Sequence, residues 1–386
     1  MTRIRPTALL IAVAAAFPAA ASADSPKTYC VNNTDCVFKG GGEYEPSIQA
    51  ALNDAAGHPG LDHVRITPGV YPDGPFTYIQ NSNNPVDIAP TSPGKIILGL
   101  TAGSKSSYAV EVAGGGSTVS DITVSLPPKA NNIIGLDLYG GVTAEHVTVN
   151  VADESTLITA IDITDGGTLR DAQVHARHSA GAIGIAAGAN LGPVEISDAR
   201  VDAPTGLRIG GSSAYTSTVR RLVTNGTDGI LAYCGHTIVE DSLVVADTNG
   251  VVAKGCPGNS PSVEVRQSTV IGGGGGDYGA QATGGGADSA SLTLSNSIVR
   301  GYKTALYRQA VSGAHVNLAT SYSGYDPARV TDVSANGIGA LVQDHQIAAA
   351  PDFVDATEGD FHLRPGSSLV DAGDPAGLSA GEAGTD

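Results

Sequence analysis

The chain has 386 residues, a formal net charge of −17, 51 glycines, four cysteines and no tryptophan. An acid excess of that size argues against nucleic acid or an anionic membrane as partner. Such a length ordinarily implies more than one globular domain, unless the chain is a repeat whose units touch only their neighbours.

Residues 1–23 read as a secretory signal peptide. Arg3 and Arg5 form its basic start, Ala8 to Phe17 its apolar core, and Ala21-Ser22-Ala23 its cleavage site. No later stretch is long and apolar enough to span a bilayer. The mature chain is therefore expected to be secreted or held at the cell surface. Four cysteines in an exported chain predict disulfides. Cys30 and Cys36 are near enough in sequence to close a small loop. Cys234 and Cys256 stand 22 residues apart. That is one coil of the repeat described next, so their Cα atoms are expected within ~7 Å.

Pro46 to Ala55 carries Ile48, Ala51, Leu52 and Ala55 at helical spacing behind a potential N-cap, Ser47. This helix is expected to cap the open end of the repeat. Val64 to Tyr71 reads as a strand ending in a Pro-Gly turn. Residues 73–117 are Gly/Pro/Asn-rich, with weaker strands at Lys95–Leu98 and Val110-Glu111-Val112. From about residue 118 to 300 a short phrase recurs, as in Thr118-Val119-Ser120-Asp121-Ile122, Thr143-Ala144-Glu145-His146-Val147 and Thr168-Leu169-Arg170-Asp171-Ala172. Its period runs between 20 and 29 residues. A second phrase, a small residue before an apolar pair, recurs at Gly135-Leu136-Asp137-Leu138, Ala160-Ile161-Asp162-Ile163, Ala182-Ile183-Gly184-Ile185 and Gly206-Leu207-Arg208-Ile209. Short apolar runs repeating at this period predict an all-β solenoid. Val119, Ala144, Leu169, Ile196, Val219, Val239, Val265 and Leu294 should then stack in one internal column. From about Ser321 the pattern changes.

The helix "SIQAALNDA", the strand "VRITPGVY" and the stacked coils resemble the right-handed parallel β-helix superfamily, the pectate-lyase-like fold. The segment "PDFVDATEGDFHLRPGSSLVDAGD" is similar to the closing module of secreted bacterial β-helix proteins, some grouped as choice-of-anchor proteins. The resemblance implies a single-stranded right-handed β-helix with its N-terminal cap over 24–320. It implies a closing module over 321–386, with further residues expected after Asp386. It implies no one activity, since lyases, hydrolases, epimerases and adhesins share the fold.

Repeat alignment places side chains in columns. One outward column runs Ser120, Glu145, Arg170, Ser197, Arg220, Glu240, Arg266, Ser295. It reads as a solvated strand face with weak ion pairs, although its arginines could grip an acidic sugar. The next, Asp121, His146, Asp171, Asp198, Arg221, Asp241, Gln267, Asn296, reads as a turn whose Asp and Asn side chains bond to the bend. Within it Asp171 and Asp198 repel one another unless a cation such as calcium intervenes. The second phrase gives an outward column Asp137, Asp162, Gly184, Arg208, with Tyr139, Thr164, Tyr233 and Lys254 two positions along. Asp137, Asp162, Arg208, Tyr233 and Lys254 are the candidate substrate-binding residues, because carboxylates beside cations and an aromatic ring suit a saccharide. The stretch Asn225 to Ile230 followed by Cys234-Gly235-His236 imitates a polygalacturonase motif. It lacks that motif's Asp-Asp pair, Gly-His-Gly and Arg-x-Lys, and no catalytic role is carried onto it. The sequence favours an exported β-helix presenting a surface to a polysaccharide or cell-envelope glycan. The alternative is a polysaccharide lyase or glycoside hydrolase acting on an acidic polysaccharide.

Overall fold

A computed structural model describes residues 25–80, 84–101, 103–256 and 258–374. The expected signal peptide lies outside them. The chain winds as a parallel β-solenoid of about 11 turns. A regular coil has three strands. Val142–Glu145 lies on a first face, Thr148–Val151 on a second, and Thr159–Thr164 opens the third. Each pairs in parallel with its equivalents before and after. Val142–Glu145, for instance, lies between Thr118–Ser120 and Gly167–Arg170. From Val223–Tyr233 onward the second and third faces share one long strand, bent where the register shifts between Gly226 and Asp228.

Alternation along the strands explains the core. The expected internal column from Val119 to Leu294 is a run of consecutive register partners, none more than 1% exposed. Burying each larger aliphatic side chain contributes about 1.5–3 kcal/mol. The outward column beside it pairs as read, with Arg170 bound to Glu145 at 3.1 Å and Glu240 between Arg220 (2.8 Å) and Arg266 (3.1 Å).

The corner after the first face is left-handed. All eight residues from Asp121 to Asn296 have φ between 47° and 57°, and Tyr322 and His345 extend the column by two turns. Non-glycine residues pay steric strain there. A backbone bond to the next coil offsets it, as from His146 N–H to the Arg170 carbonyl at 3.1 Å. The side-chain ladder of this corner is made one residue later. Ser242, Ser268, Ser297 and Ser323 each donate to the carbonyl two residues back, at 2.7–2.8 Å. Each also accepts an N–H from the preceding coil, in turn Leu222, Ser242, Ser268 and Ser297, at 3.1–3.3 Å. In the coils before, the same position holds Ile122, Val147, Ala172, Ala199 and Leu222, all buried.

Both expected disulfides are present, Cys30–Cys36 and Cys234–Cys256, with Cα separations of 5.9 and 5.7 Å. The helix spans Ile48–Gly57. Ser47 caps it by accepting from Ala50 N–H, and Ile48, Ala51, Leu52 and Ala55 join the core. It packs on Thr28–Val31, Asp62–Ile66 and Phe76–Ile79, in the first coils; its service as an end cap is a proposal.

The boundary read at residue 320 does not end the solenoid. Leu341–Asp344 pairs with Val316–Ser321, and Val330–Ala335 with Ile298–Val311. The apolar pattern fades sooner than the hydrogen bonding, because most side chains of this last coil are exposed. A buried arginine helps to fasten it. Arg308, 1% exposed, donates to the carbonyls of Val316 (2.8 Å) and Ile338 (3.0 Å) and pairs with Asp332 (2.5 Å). A short antiparallel pair follows, Phe353–Asp355 with Asp360–Leu363, and Asp374 N–H returns to Asn296 Oδ1 at 2.8 Å. Among the described residues no helix is long and apolar enough to cross a membrane.

Candidate functional site

The third face gathers the candidate residues. Its outward column runs Glu111, Asp137, Asp162, Ala186, Arg208 by direct register pairing. The position read as Gly184 is therefore Ala186. Gly184 faces inward, level with Ala160, where a Cβ would stand 2.1 Å from Val201 Cγ1. Crowding, which the sequence phrase does not carry, sets that register. The column two positions on runs Tyr139, Thr164, Gly188, Gly210, Tyr233, Lys254. Asp137, Asp162 and Arg208 thus share one column, and Tyr233 and Lys254 share its neighbour.

Small residues open a hollow here. Ala186, Gly188 and Gly210 offer little or no side chain where coils on either side carry Asp162, Thr164, Arg208 and Tyr233. The result is an open depression of about 300 Å³, lined also by Asn190. Asp137 flanks it one rung before Asp162, and Lys254 one rung beyond Tyr233. A side chain at Gly188 would press on Thr164 Cγ2 at 3.2 Å and Asn190 Nδ2 at 3.5 Å.

The carboxylates at the N-terminal end feel one another. Burial, with Asp162 and Glu111 on either side, pushes the Asp137 pKa up to about 6. Asp162 is also raised by burial, against the opposing pull of Arg208. One buried oxygen of Glu111 has no hydrogen-bond partner among the described residues. Glu111 lies in an irregular coil outside the repeat phrase, and its sequence signal is the Val-Glu-Val alternation one period before Asp137. Chemically, the face offers a proton donor at mildly acidic pH, an exposed guanidinium for anions, and an aromatic flank.

Asp171 and Asp198 are consecutive on the left-handed corner, as read. Each has another side chain at hand. Arg221 binds Asp198 in bidentate fashion at 2.6 and 2.7 Å and holds its carboxyl below the usual range. His146 Nε2 lies 3.7 Å from Asp171. No group of three or more His, Cys, Asp or Glu residues set to hold a metal occurs among the described residues. A calcium ion bridging the pair would have to displace Arg221. In the stretch resembling a polygalacturonase motif, Asp228 accepts from Asn249 on the next coil at 2.6 Å.

No protein-family profile and no curated protein matches the sequence. Among solved structures the chain is similar to the pectate lyase Pel9A, at 14% identity over 92% of this chain and 94% of that one, with a TM-score of 0.51. Fainter likenesses are to the catalytic domain of a GH87 α-1,3-glucanase and to the A-module of the Azotobacter vinelandii mannuronan C-5 epimerase AlgE6. The first has 11% identity over 83% of this chain and 67% of that one, TM-score 0.39; the second has 16% over 79% and 94%, TM-score 0.31. At such identity the Pel9A likeness shows a shared fold and nothing more.

Proposed function

We propose that this is an exported β-helix whose third face binds a saccharide chain, from a polysaccharide or cell-envelope glycan, along the solenoid axis. The hollow between Asp162 and Tyr233 carries the reading. It is a depression in an otherwise regular face, with polar and aromatic groups converging on it, which is the ordinary make-up of a ligand site. Arg208 and Lys254 are the cations of these two columns and would hold an acidic group of the glycan despite the protein's negative charge. Titration calorimetry with acidic oligosaccharides tests this. Replacing both cations with alanine should weaken binding about tenfold or more and leave the thermal midpoint unchanged. Equal binding by parent and variant would sink the proposal.

A second reading, glycoside hydrolysis, is favoured by one observation. Asp137 and Asp162 are register partners on adjacent strands, whose backbones lie ~5 Å apart, so both carboxyls face one sugar-binding surface as a retaining glycosidase requires. With its pKa pushed up to about 6, Asp137 would protonate the leaving oxygen while Asp162 attacks the anomeric carbon. A reducing-sugar assay decides it: activity should be lost in both Asp137→Asn and Asp162→Asn. Release of unsaturated products would instead indicate a lyase.

A further inference from the structure

The third face continues beyond the hollow and changes character. After Arg208 the outward column runs Leu231, Val252, Gln281, Tyr307. The neighbouring column runs from Lys254 to Thr283 and Gln309. Lys254 is the last charged side chain in either. Tyr307 packs on Tyr278, ring centroids 4.4 Å apart and planes at 42°, and both rings are partly exposed. Thr304 stands beside Tyr278 in register. At the rim, Asp277 and Lys303 neutralise one another at 2.9 Å. Tyr307 lies four rungs past Arg208, ~19 Å along the axis.

We infer that the Tyr278–Tyr307 pair is a second saccharide subsite, taking an uncharged ring of the same glycan whose acidic ring lies at Arg208. The inference rests on the glycan reading above. Tyrosine rings offer flat apolar faces with polar edges, matching a sugar ring with one C–H face and a hydroxyl rim. Gln281, Thr283, Thr304 and Gln309 supply neutral donors and acceptors for that rim. A carboxylate placed here would lose water and gain no cation, so the patch selects against a charged ring. Between the two subsites the column carries no charge, only the partly exposed Leu231 and the buried Val252 before Gln281.

Calorimetry with partly methyl-esterified oligogalacturonates tests the inference. The parent should bind the octamer about tenfold tighter than the trimer. In the Tyr278→Ala/Tyr307→Ala variant the two lengths should bind alike, at the parent's trimer affinity. The Tyr278→Phe/Tyr307→Phe variant should keep the octamer's advantage. A further measurement needs no variant: the parent should prefer the partly esterified octamer over the fully acidic one. An octamer advantage that survives the alanine variant overturns the subsite, as does equal or stronger binding of the fully acidic octamer. If replacing Arg208 and Lys254 weakens both lengths while the tyrosine variant weakens neither, only this inference falls. If the parent binds neither length, the glycan reading falls with it.

Discussion

In the coils up to Leu222 the position after the left-handed corner is filled by Ile, Val, Ala or Leu; from Ser242 to Ser323 it is serine. The third face changes over the same stretch. Glu111, Asp137, Asp162 and Arg208 populate it before, and Leu231, Val252, Gln281 and Tyr307 after. One half thus has an apolar corner and a charged face, the other a polar corner and a face that is neutral beyond Lys254. A buried serine is tolerated only when its hydroxyl is satisfied, and here each bridges two coils. At this corner the C-terminal half stacks through directional bonds where the N-terminal half stacks through volume.

Substitutions at the seam separate the two. Leu222→Ala should cost about 2–5 kcal/mol by leaving a cavity in the apolar half, read as a lowered midpoint in denaturant. Little loss would mean that the neighbouring alanines collapse inward and that volume is not what holds that corner. Opening Cys234–Cys256, which spans the seam, by double replacement with serine should cost about 3 kcal/mol from the closed loop's entropy. Ser268→Ala should cost about 1–3 kcal/mol, because the Ser242 N–H and the Arg266 carbonyl both lose a partner. Ser268→Thr, which keeps the hydroxyl, should cost less. An alanine variant as stable as the parent would show that the ladder is incidental.

The charged face gives a smaller, pH-bound effect. Asp137 in the folded chain has a pKa of about 6, above the ~3.9 of an unfolded aspartate. The folded state then holds the extra proton between these values, so this contribution to stability is full below about 4 and lost as pH rises through 6. Asp137→Asn should therefore raise the melting temperature at pH 7 and leave it unchanged near pH 4. A shift of the same size at both pH values would contradict this. Smallest of all, Arg170→Ala should change stability by less than about 0.5 kcal/mol, since its pair with Glu145 is solvent-exposed.

How much of this was legible follows from what repeats. The internal column and the cysteine pairing could be read because a coil shifts every residue by one period, so equivalent letters become neighbours. Slips came where two letters serve equally. Both Ala182-Ile183-Gly184-Ile185 and Gly184-Ile185-Ala186-Ala187 satisfy the small-apolar phrase, and contact with Val201 chooses the second. The serine ladder hid because Ser after Asp, Gln or Asn reads as an exposed turn; only stacking buries it. The hollow hid for the opposite reason. It consists of side chains that are missing, at Ala186, Gly188 and Gly210, while a search for chemistry looks for those present. Asp171 and Asp198 were rightly made neighbours, but the bidentate claim of Arg221 on Asp198 depends on side-chain reach, not period.

Arg308 bears on how such a chain comes apart. A solenoid can in principle unravel coil by coil from either end, since no coil holds more than its neighbours. Here the final coil is tied by a guanidinium to two carbonyls and a carboxylate on either side of it. Peeling that coil away breaks the Asp332 and Ile338 contacts of Arg308 together, so the end does not fray by small steps. Under tension or a protease the C-terminal coil should resist until it yields together with the coil beneath it, as a latch releases rather than as a thread unwinds.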